Sequence, residues 1–155
     1  IWLYWHHSRK TNVNPIIPIA QALLETANFT SWWFVENNNP SGIGVTGQVR
    51  EIPAPYSKWV WDNRIQRYRE GIKFDTVENG IRAHIGRLLA YWHKPDAKVE
   101  DSQQELIQQA LSYRDVPLGI RGALQHGIQA LQGTWALDGH YTSKLLRKIR
   151  WLCES

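Results

Sequence analysis

The longest regular pattern in the sequence is helical and starts at residue 76. Thr76 is suited to cap a helix start and Pro95 cannot continue a helix, so these two residues bound it. Between them, side chains spaced three and four residues apart form one broad, mostly apolar face: Val77, Ile81, His84, Ile85, Leu88, Leu89 and Trp92. Such a face is predicted to lie in the core, where His84 is interpreted as a hydrogen-bonded core histidine and Trp92 as a packing residue.

Three further segments have helical spacing. One follows Asn14 and Pro15, which suit a helix start, and is predicted to end near Asn28. The other two are predicted at 102–112 and 142–152, and a glycine-interrupted stretch between them, 119–131, is also predicted to be helical. Helices therefore dominate the predicted structure.

The middle of the sequence has a different pattern. Turn-forming residues fill 37–44, which predicts a loop, and residues 45–55 are predicted to be irregular. In residues 58–68 the large side chains alternate around Asp62 and Asn63, as is typical of a short hairpin that turns there. The predicted fold class is α+β, mainly helical, with a small β-hairpin lobe.

Length and composition exclude several classes of protein. The chain has 155 residues, which fits one domain over 1–155, and its 43% hydrophobic and 21% charged residues are ordinary for a folded protein. Cys153 is the only cysteine, which excludes an intrachain disulfide and a thiolate zinc site. The longest uncharged stretch, 11–24, is too short to span a bilayer, so no membrane insertion is expected. Because the sequence starts at Ile1 without a leader, we interpret it as a domain excised from a longer protein.

The charged residues give a weaker indication of partners. The net charge of +4 favours an anionic partner such as nucleic acid, acidic lipid or an acidic cell-wall polymer, but the excess is small. Four cations lie in the last predicted helix, where the helix dipole also favours them: Lys144, Arg147, Lys148 and Arg150. We therefore expect no nucleic-acid partner. The histidines lack metal-site spacing and no phosphate-binding loop is present, so no metal or cofactor is expected. The oligomeric state stays open.

Glu25 is the acid whose setting points most clearly to catalysis. It lies in the last turn of the helix predicted after Pro15, and four large aromatic residues follow within nine positions. The negative end of a helix dipole and apolar surroundings both raise a carboxyl pKa, and a protonated carboxyl can donate to a departing glycosidic oxygen. On a helical wheel, however, Glu25 lies nearly opposite the apolar face, and periodicity alone favours a solvated surface glutamate.

Four segments in order resemble a known family. Residues 20–31 end a helix with Glu25 and Thr26, and residues 38–44 have the form Asn-Asn-x-x-Gly-Ile. Further along, 74–84 and 135–141 look like the stretches before two later family helices. Together these segments resemble glycoside hydrolase family 73, the peptidoglycan N-acetylglucosaminidases of bacteria and phages.

This resemblance implies a lysozyme-like fold with a cleft between a helical body and a β-lobe at about 45–74. It also implies an enzyme that hydrolyses the β-1,4 bond after N-acetylglucosamine in peptidoglycan strands. Such an enzyme would be bacteriolytic and would act outside the cytoplasm, extracellularly, in the cell wall or in the periplasm. Glu25 falls on the general acid of the family and Tyr141 on a tyrosine near the reacting sugar. Asn38, Asn39 and Gly42 fall on the loop that shapes the cleft floor. Tyr141 is equally compatible with a core aromatic at a helix start.

Three departures from the family pattern affect the site. Ala27 and Phe29 stand where members usually have glycine, so the floor below the acid is predicted to be bulkier. Val60 stands where many members have a second glutamate. Four acids are candidates to replace it: Asp62, Glu51, Glu36 and Glu70. We retain Asp62 as the candidate catalytic residue, although a hairpin-turn residue is its simpler interpretation.

A missing second carboxylate leaves several mechanisms open. The 2-acetamido group of the substrate could attack its own anomeric carbon, or Glu25 could act alone. There are two alternative functions. The protein could be a lytic transglycosylase, or it could be a non-catalytic glycan-binding or assembly module on the same fold. For sugar stacking, the sequence offers four tryptophans, of which at least one is predicted to line the cleft: Trp32, Trp33, Trp59 and Trp61.

Overall fold

The computed structural model describes all residues, 1–155. It contains six α-helices, a small antiparallel sheet and two short 3-10 helices at Ala123–His126 and Ile128–Leu131. The helices are α1 Trp2–Lys10, α2 Ile16–Glu25, α3 Trp32–Val35, α4 Val77–Trp92, α5 Asp101–Tyr113 and α6 Tyr141–Glu154. The strands are β1 Val49–Arg50, β2 Trp59–Asp62 and β3 Arg67–Glu70. The predicted class, mainly helical with a small β-lobe, is confirmed.

Helix α4 lies at the centre of the core, as its pattern predicts. It packs most extensively against α5 and also contacts α1 and α2. Its apolar face joins buried side chains from the other helices, among them Ile19, Leu106 and Leu145. The close approach of α4 to α5 depends on Gly86, because a Cβ atom there would lie 1.9 Å from the Leu106 carbonyl oxygen. Trp92 is wrongly predicted as a core residue, since it lies at the solvent end of α4 and is 48% exposed.

Two helix starts follow the predicted capping chemistry. The Thr76 hydroxyl accepts a hydrogen bond from the Asn79 amide at 3.1 Å, which starts α4. The Asn14 side chain accepts one from the Ile16 amide at 3.1 Å, which starts α2. Both side chains satisfy amides that have no partner within the helix.

The end of α2 differs from the prediction. The helix stops at Glu25, three residues before Asn28, because Ala27, Asn28 and Phe29 have positive φ angles of 49°, 59° and 65°. The Thr26 hydroxyl fixes this turn by donating to the Ala22 carbonyl oxygen at 2.6 Å and accepting from the Phe29 amide at 2.7 Å. Left-handed backbone is uncommon without glycine, so the sequence gives little sign of this turn.

Helix α1 is absent from the sequence prediction. Its buried residues are Tyr4, His7 and Ser8, so the face it turns to the core is largely polar and has no apolar stripe. The His7 ring hydrogen-bonds Glu78 at 2.7 Å and so attaches α1 to the start of α4. Two shorter segments also differ from the prediction. Strand β1 lies within the stretch predicted to be irregular, and residues 119–131 form two 3-10 turns instead of a helix.

The sheet has the order β1-β3-β2, and β2 and β3 form the predicted hairpin. Trp61 pairs with Tyr68 and Asp62 with Arg67, with the turn at 63–66. Because side chains alternate along a strand, Asp62 shares one face of the sheet with Arg69, whereas Trp61 lies on the other. A second core cluster connects this lobe to α4: Ile43, Ile72, Phe74 and Ala83. None of the helices has both the length and the apolar composition that a membrane crossing requires.

Replacing Gly86 by alanine should destabilise the fold. The added Cβ meets backbone of α5, which cannot rotate away, so we expect a loss of about 1–3 kcal/mol in the free energy of unfolding, measured by urea denaturation. Gly119→Ala is the matched control because a Cβ there meets nothing within 4 Å. A Gly86→Ala protein as stable as the parent would contradict this packing of α4 on α5.

Candidate active site

Glu25 lies at the last position of α2, against the loop 37–44. Gly42 in that loop has a φ angle of 68°, and a Cβ atom on it would lie 3.7 Å from Glu25 Oε2. The carboxyl group is therefore confined by the loop on one side and by the helical body on the other. The alternative interpretation of Glu25 as a solvated surface residue is wrong, since its side chain is partly buried at this junction.

Burial raises the pKa of Glu25 to about 6, and a hydrogen bond from Tyr141 opposes part of that rise. Desolvation disfavours the charged form of a carboxyl group, whereas a donated hydrogen bond favours it. At a pH below about 6 most molecules thus carry a protonated Glu25. The sequence-based expectation of a raised pKa agrees with this result, and its physical cause is burial.

A buried polar network ends on the Glu25 carboxyl group. Tyr141, at the start of α6, hydrogen-bonds Glu25 and accepts a hydrogen bond from Gln21 Nε2 at 3.0 Å. The Gln21 Oε1 atom lies 3.0 Å from His84 Nε2, and His84 Nδ1 lies 2.7 Å from the Tyr4 hydroxyl. Tyr4, Gln21, His84 and Tyr141 are all buried. The network therefore connects α1, α4, α2 and α6 to one carboxyl group.

Only one assignment of hydrogen-bond donors and acceptors fits the contacts in this network. Burial lowers the pKa of His84 to about 3, so the ring is neutral. Gln21 Oε1 can only accept, which places the ring proton on Nε2 and leaves Nδ1 to accept from Tyr4. Because Gln21 already donates to the Tyr141 oxygen, the Tyr141 hydroxyl proton is directed to Glu25. His84 is confirmed as a hydrogen-bonded core histidine, and the sequence gives no sign that its partners lead to Glu25.

The loop 37–44 is held in shape by hydrogen bonds from the side chains of two asparagines, Asn38 and Asn39. Asn39 donates to the carbonyl oxygens of Ile43 at 3.0 Å and Ile72 at 2.9 Å, and accepts from the Ile43 amide at 3.1 Å. Asn38 donates to the Phe74 carbonyl oxygen at 3.0 Å. Asn39 has no exposed surface, which corrects its assignment as a substrate-binding residue. Its role is to attach the loop to the β-lobe, and Gly42 is the loop residue beside Glu25.

Asp62 has a different role from the one predicted. Its carboxylate is fully buried and accepts from Arg64 Nη2 at 3.0 Å and from Arg69 Nε at 2.8 Å. These guanidinium groups hold its pKa well below the usual range. A carboxylate with no exposed oxygen and two cationic partners cannot contact a sugar, which corrects its assignment as a catalytic residue. Asp62 instead stabilises the hairpin.

The other candidate acids do not hydrogen-bond Glu25. Glu70 is held by the hydroxyl groups of Thr46 and Ser57, which lower its pKa, and it lines a separate cavity of about 420 Å³. Glu51 pairs with Arg67 at 3.1 Å on the surface. Both carboxylates are thus held by partners within the β-lobe.

The four candidate tryptophans have unequal exposure. The Trp32 ring faces the guanidinium groups of Arg64 and Arg69 at 5.3 and 5.8 Å. Trp33 packs on the backbone at Gly71, where a Cβ atom would lie 2.3 Å from its ring. Trp59 and Trp61 follow on β2, and Trp61 keeps 43% of its surface exposed. Of the four, Trp61 has the most surface free for a ligand.

Replacing Tyr141 by phenylalanine should raise the pKa of Glu25 above about 6. The hydroxyl group is the contact that lowers this pKa, so its removal leaves the effect of burial unopposed. The measurement is a carbon-13 NMR titration of the glutamate side chains. Tyr113→Phe is the control, because that ring packs edge-on to Phe74 and not on Glu25. A Glu25 pKa that stays the same or falls would show that the hydroxyl does not donate to this carboxyl.

Comparisons with known proteins show the family of the chain. The family model described as "Glucosaminidase: Mannosyl-glycoprotein endo-beta-N-acetylglucosaminidase" matches residues 2–153. Among solved structures, the catalytic domain of the autolysin Auto from Listeria monocytogenes is similar, with 20% sequence identity and a TM-score of 0.50. That match covers 96% of this chain and 77% of the Listeria chain, and it supports the lysozyme-like fold. No curated protein sequence matches. Since the family model spans nearly all of the chain, the protein belongs to the glucosaminidase family of glycoside hydrolases, as its resemblance to family 73 implied.

Proposed function

We propose that the protein hydrolyses the β-1,4 bond on the reducing side of N-acetylglucosamine in peptidoglycan, with Glu25 as the general acid. The observation that carries this proposal is a carboxyl group whose pKa burial raises to about 6, at the junction of the helical body and the loop 37–44. Family membership and the similarity to an autolysin catalytic domain support it. A substrate in the cell wall would place this activity outside the cytoplasm, in the wall or periplasm.

The first step uses the protonated form of Glu25. Its proton passes to the glycosidic oxygen as the bond to the anomeric carbon breaks, and the leaving sugar departs as a neutral alcohol. Glu25 then carries a negative charge, which the Tyr141 hydroxyl stabilises by its hydrogen bond. That contact strengthens as charge develops on Glu25, so it favours the transition state over the bound substrate. Tyr141 and, behind it, Gln21 are already held in place before the substrate binds.

The second half of the reaction needs a group that stabilises the anomeric carbon. Val60 stands at the place of the second family glutamate, and Asp62 is enclosed by two arginines. We therefore favour attack by the 2-acetamido oxygen of the substrate, which forms a bond to the anomeric carbon while the glycosidic bond breaks. The Glu25 carboxylate then takes a proton from a water molecule as that water opens the cyclic intermediate. This returns Glu25 to its protonated form.

Two alternatives fit the same site. A lytic transglycosylase would close the muramic 6-hydroxyl onto the anomeric carbon, so its product would lack the added water. A glycan-binding or assembly module would bind the wall without releasing reducing ends. The raised pKa of Glu25 favours an enzyme over a binding module, because a binding site has no need for a protonated carboxyl group at this position.

Replacing Glu25 by glutamine should abolish most of the activity. A general acid contributes about 10²- to 10⁴-fold to the rate, and glutamine keeps the shape of the side chain without its proton. The measurement is the release of reducing ends from purified cell walls, with product masses recorded to detect added water. Glu105→Gln, on the surface of α5, is the control. Equal rates for Glu25→Gln and the parent would refute the assignment of Glu25.

We also propose that Trp61 stacks on a sugar ring of the bound strand. An exposed indole offers a flat apolar face at low conformational cost, and Trp61 is held edge-on by Tyr68 at 5.0 Å. Trp61→Ala should weaken binding of the inactive Glu25→Gln protein to cell walls by about tenfold, measured by sedimentation. Trp5→Ala removes a tryptophan of similar exposure, 41%, from α1 and should have a smaller effect. Equal losses in the two variants would count against a specific role for Trp61.

A further inference from the structure

Helix α6 carries a cluster of cations in positions that do not favour them. The helix runs from Tyr141 to Glu154, and no basic residue lies in its last turn. The cations occupy its first three turns: Lys144, Arg147, Lys148 and Arg150. The helix dipole therefore does not explain them, contrary to the interpretation from sequence, because its favourable effect on cations is confined to the last turn of a helix. Their spacings of three and four residues also bring like charges together.

Few of these charges are compensated. Lys144 pairs with Asp138 at 2.5 Å, and Lys148 donates to the side-chain oxygen of Asn28 at 2.8 Å. Arg147 and Arg150 form no ion pair in the structure. A cluster of cations of which only one has an acidic partner is expected where an anionic ligand binds.

Three of the cations line a groove between α6 and the end of α2. Its volume is about 670 Å³. Its lining residues include Leu24, Asn28, Lys144, Arg147, Lys148 and Trp151, which we call the basic groove. None of the lining residues is acidic. Leu24 and the exposed indole of Trp151 add apolar surface, so the groove suits a ligand with both carboxylates and small apolar groups.

The basic groove lies next to the candidate active site. Leu24 immediately precedes Glu25 in α2, and Lys144 lies one helical turn after Tyr141, which hydrogen-bonds Glu25. Tyr141, Lys144 and Lys148 are spaced three and four residues apart and so share one side of α6. A ligand in the groove can therefore belong to the same molecule as the sugar at Glu25.

We propose that the basic groove binds the acidic peptide stem carried by the substrate strand next to the scissile bond. This inference rests on the proposed peptidoglycan substrate. N-Acetylglucosamine is uncharged, so the negative charge of such a strand lies chiefly in the carboxylates of its peptide stems. The side chains of alanine residues in a stem match Leu24 and Trp151, while its carboxylates match Arg147 and Lys148. The groove is thus a specificity-determining site that distinguishes peptide-bearing strands from bare glycan.

The test compares two substrates with one set of variants. The substrates are peptidoglycan strands with intact peptide stems and the same strands after enzymatic removal of the stems and amidation of the lactyl carboxylates that this removal exposes. For Arg147→Gln combined with Lys148→Gln, we expect KM on intact strands to rise about three- to tenfold with kcat unchanged, because each partly exposed ion pair contributes modestly. On stripped strands the variant and the parent should have equal KM. The difference should disappear in about 1 M salt, where the Debye length is about 3 Å.

Arg150→Gln is the matched control, because Arg150 lies on the same helix but does not line the groove. It should leave KM unchanged on both substrates. A KM that rises equally on intact and stripped strands, or on neither, would overturn the assignment of the stem to this groove while leaving the proposed hydrolysis in place. A parent protein that cleaves neither strand would overturn the proposed function and this inference together.

Discussion

The structure depends on one buried polar network that begins at Tyr4 and ends at Glu25. Each member hydrogen-bonds the next, and no buried side-chain nitrogen or oxygen atom in the network lacks a partner. Leaving one such buried group unpaired costs about 1–3 kcal/mol, which makes the arrangement of the four helices around it strongly preferred over alternatives. The same contacts that order α1, α2, α4 and α6 therefore set the position of the Glu25 carboxyl and the direction of the Tyr141 hydroxyl. The same side chains thus contribute to the stability of the fold and to the chemistry of the site.

The parts of the fold that the sequence predicts are those in which local chemistry and burial agree. Helix α4 combines a capping Thr76 with a wide apolar face, and both are present in the structure. Helix α1 has no such signal because it buries polar side chains such as His7 and Ser8. The turn after Glu25 was also beyond prediction, since its left-handed residues include Ala27 and Phe29 where glycine is usual. Tertiary contacts decide the structure in both places.

In the candidate site too, features set by local sequence were predicted, whereas those set by tertiary contacts were not. Glu25 could be identified from its neighbours in sequence, and its raised pKa could be anticipated from the aromatic residues that follow it. Gln21 could not be connected to it, because a buried glutamine on an apolar helix gives no indication of its partner. The sequence predicts that Asp62 lies at the hairpin turn, but it does not predict the two arginines that bind its carboxylate. One of them lies in the turn and the other on β3, and they meet only in the folded hairpin. The cations of α6 were explained from sequence by a helix end that the structure places further along.

The central claim is that one protonated carboxyl group, Glu25, carries the chemistry without a second acid. The most direct test is the dependence of kcat/KM on pH from about 3.5 to 8, a range that includes the ordinary pKa of a glutamate. A general acid works only when protonated, so a pKa of about 6 for Glu25 predicts constant kcat/KM at low pH and a tenfold fall per pH unit above about 6. Replacing Glu25 by glutamine should remove that fall along with the activity. A bell-shaped profile, with a second ionisation near pH 4–5 that must be deprotonated for activity, would contradict the account by revealing a second catalytic carboxylate.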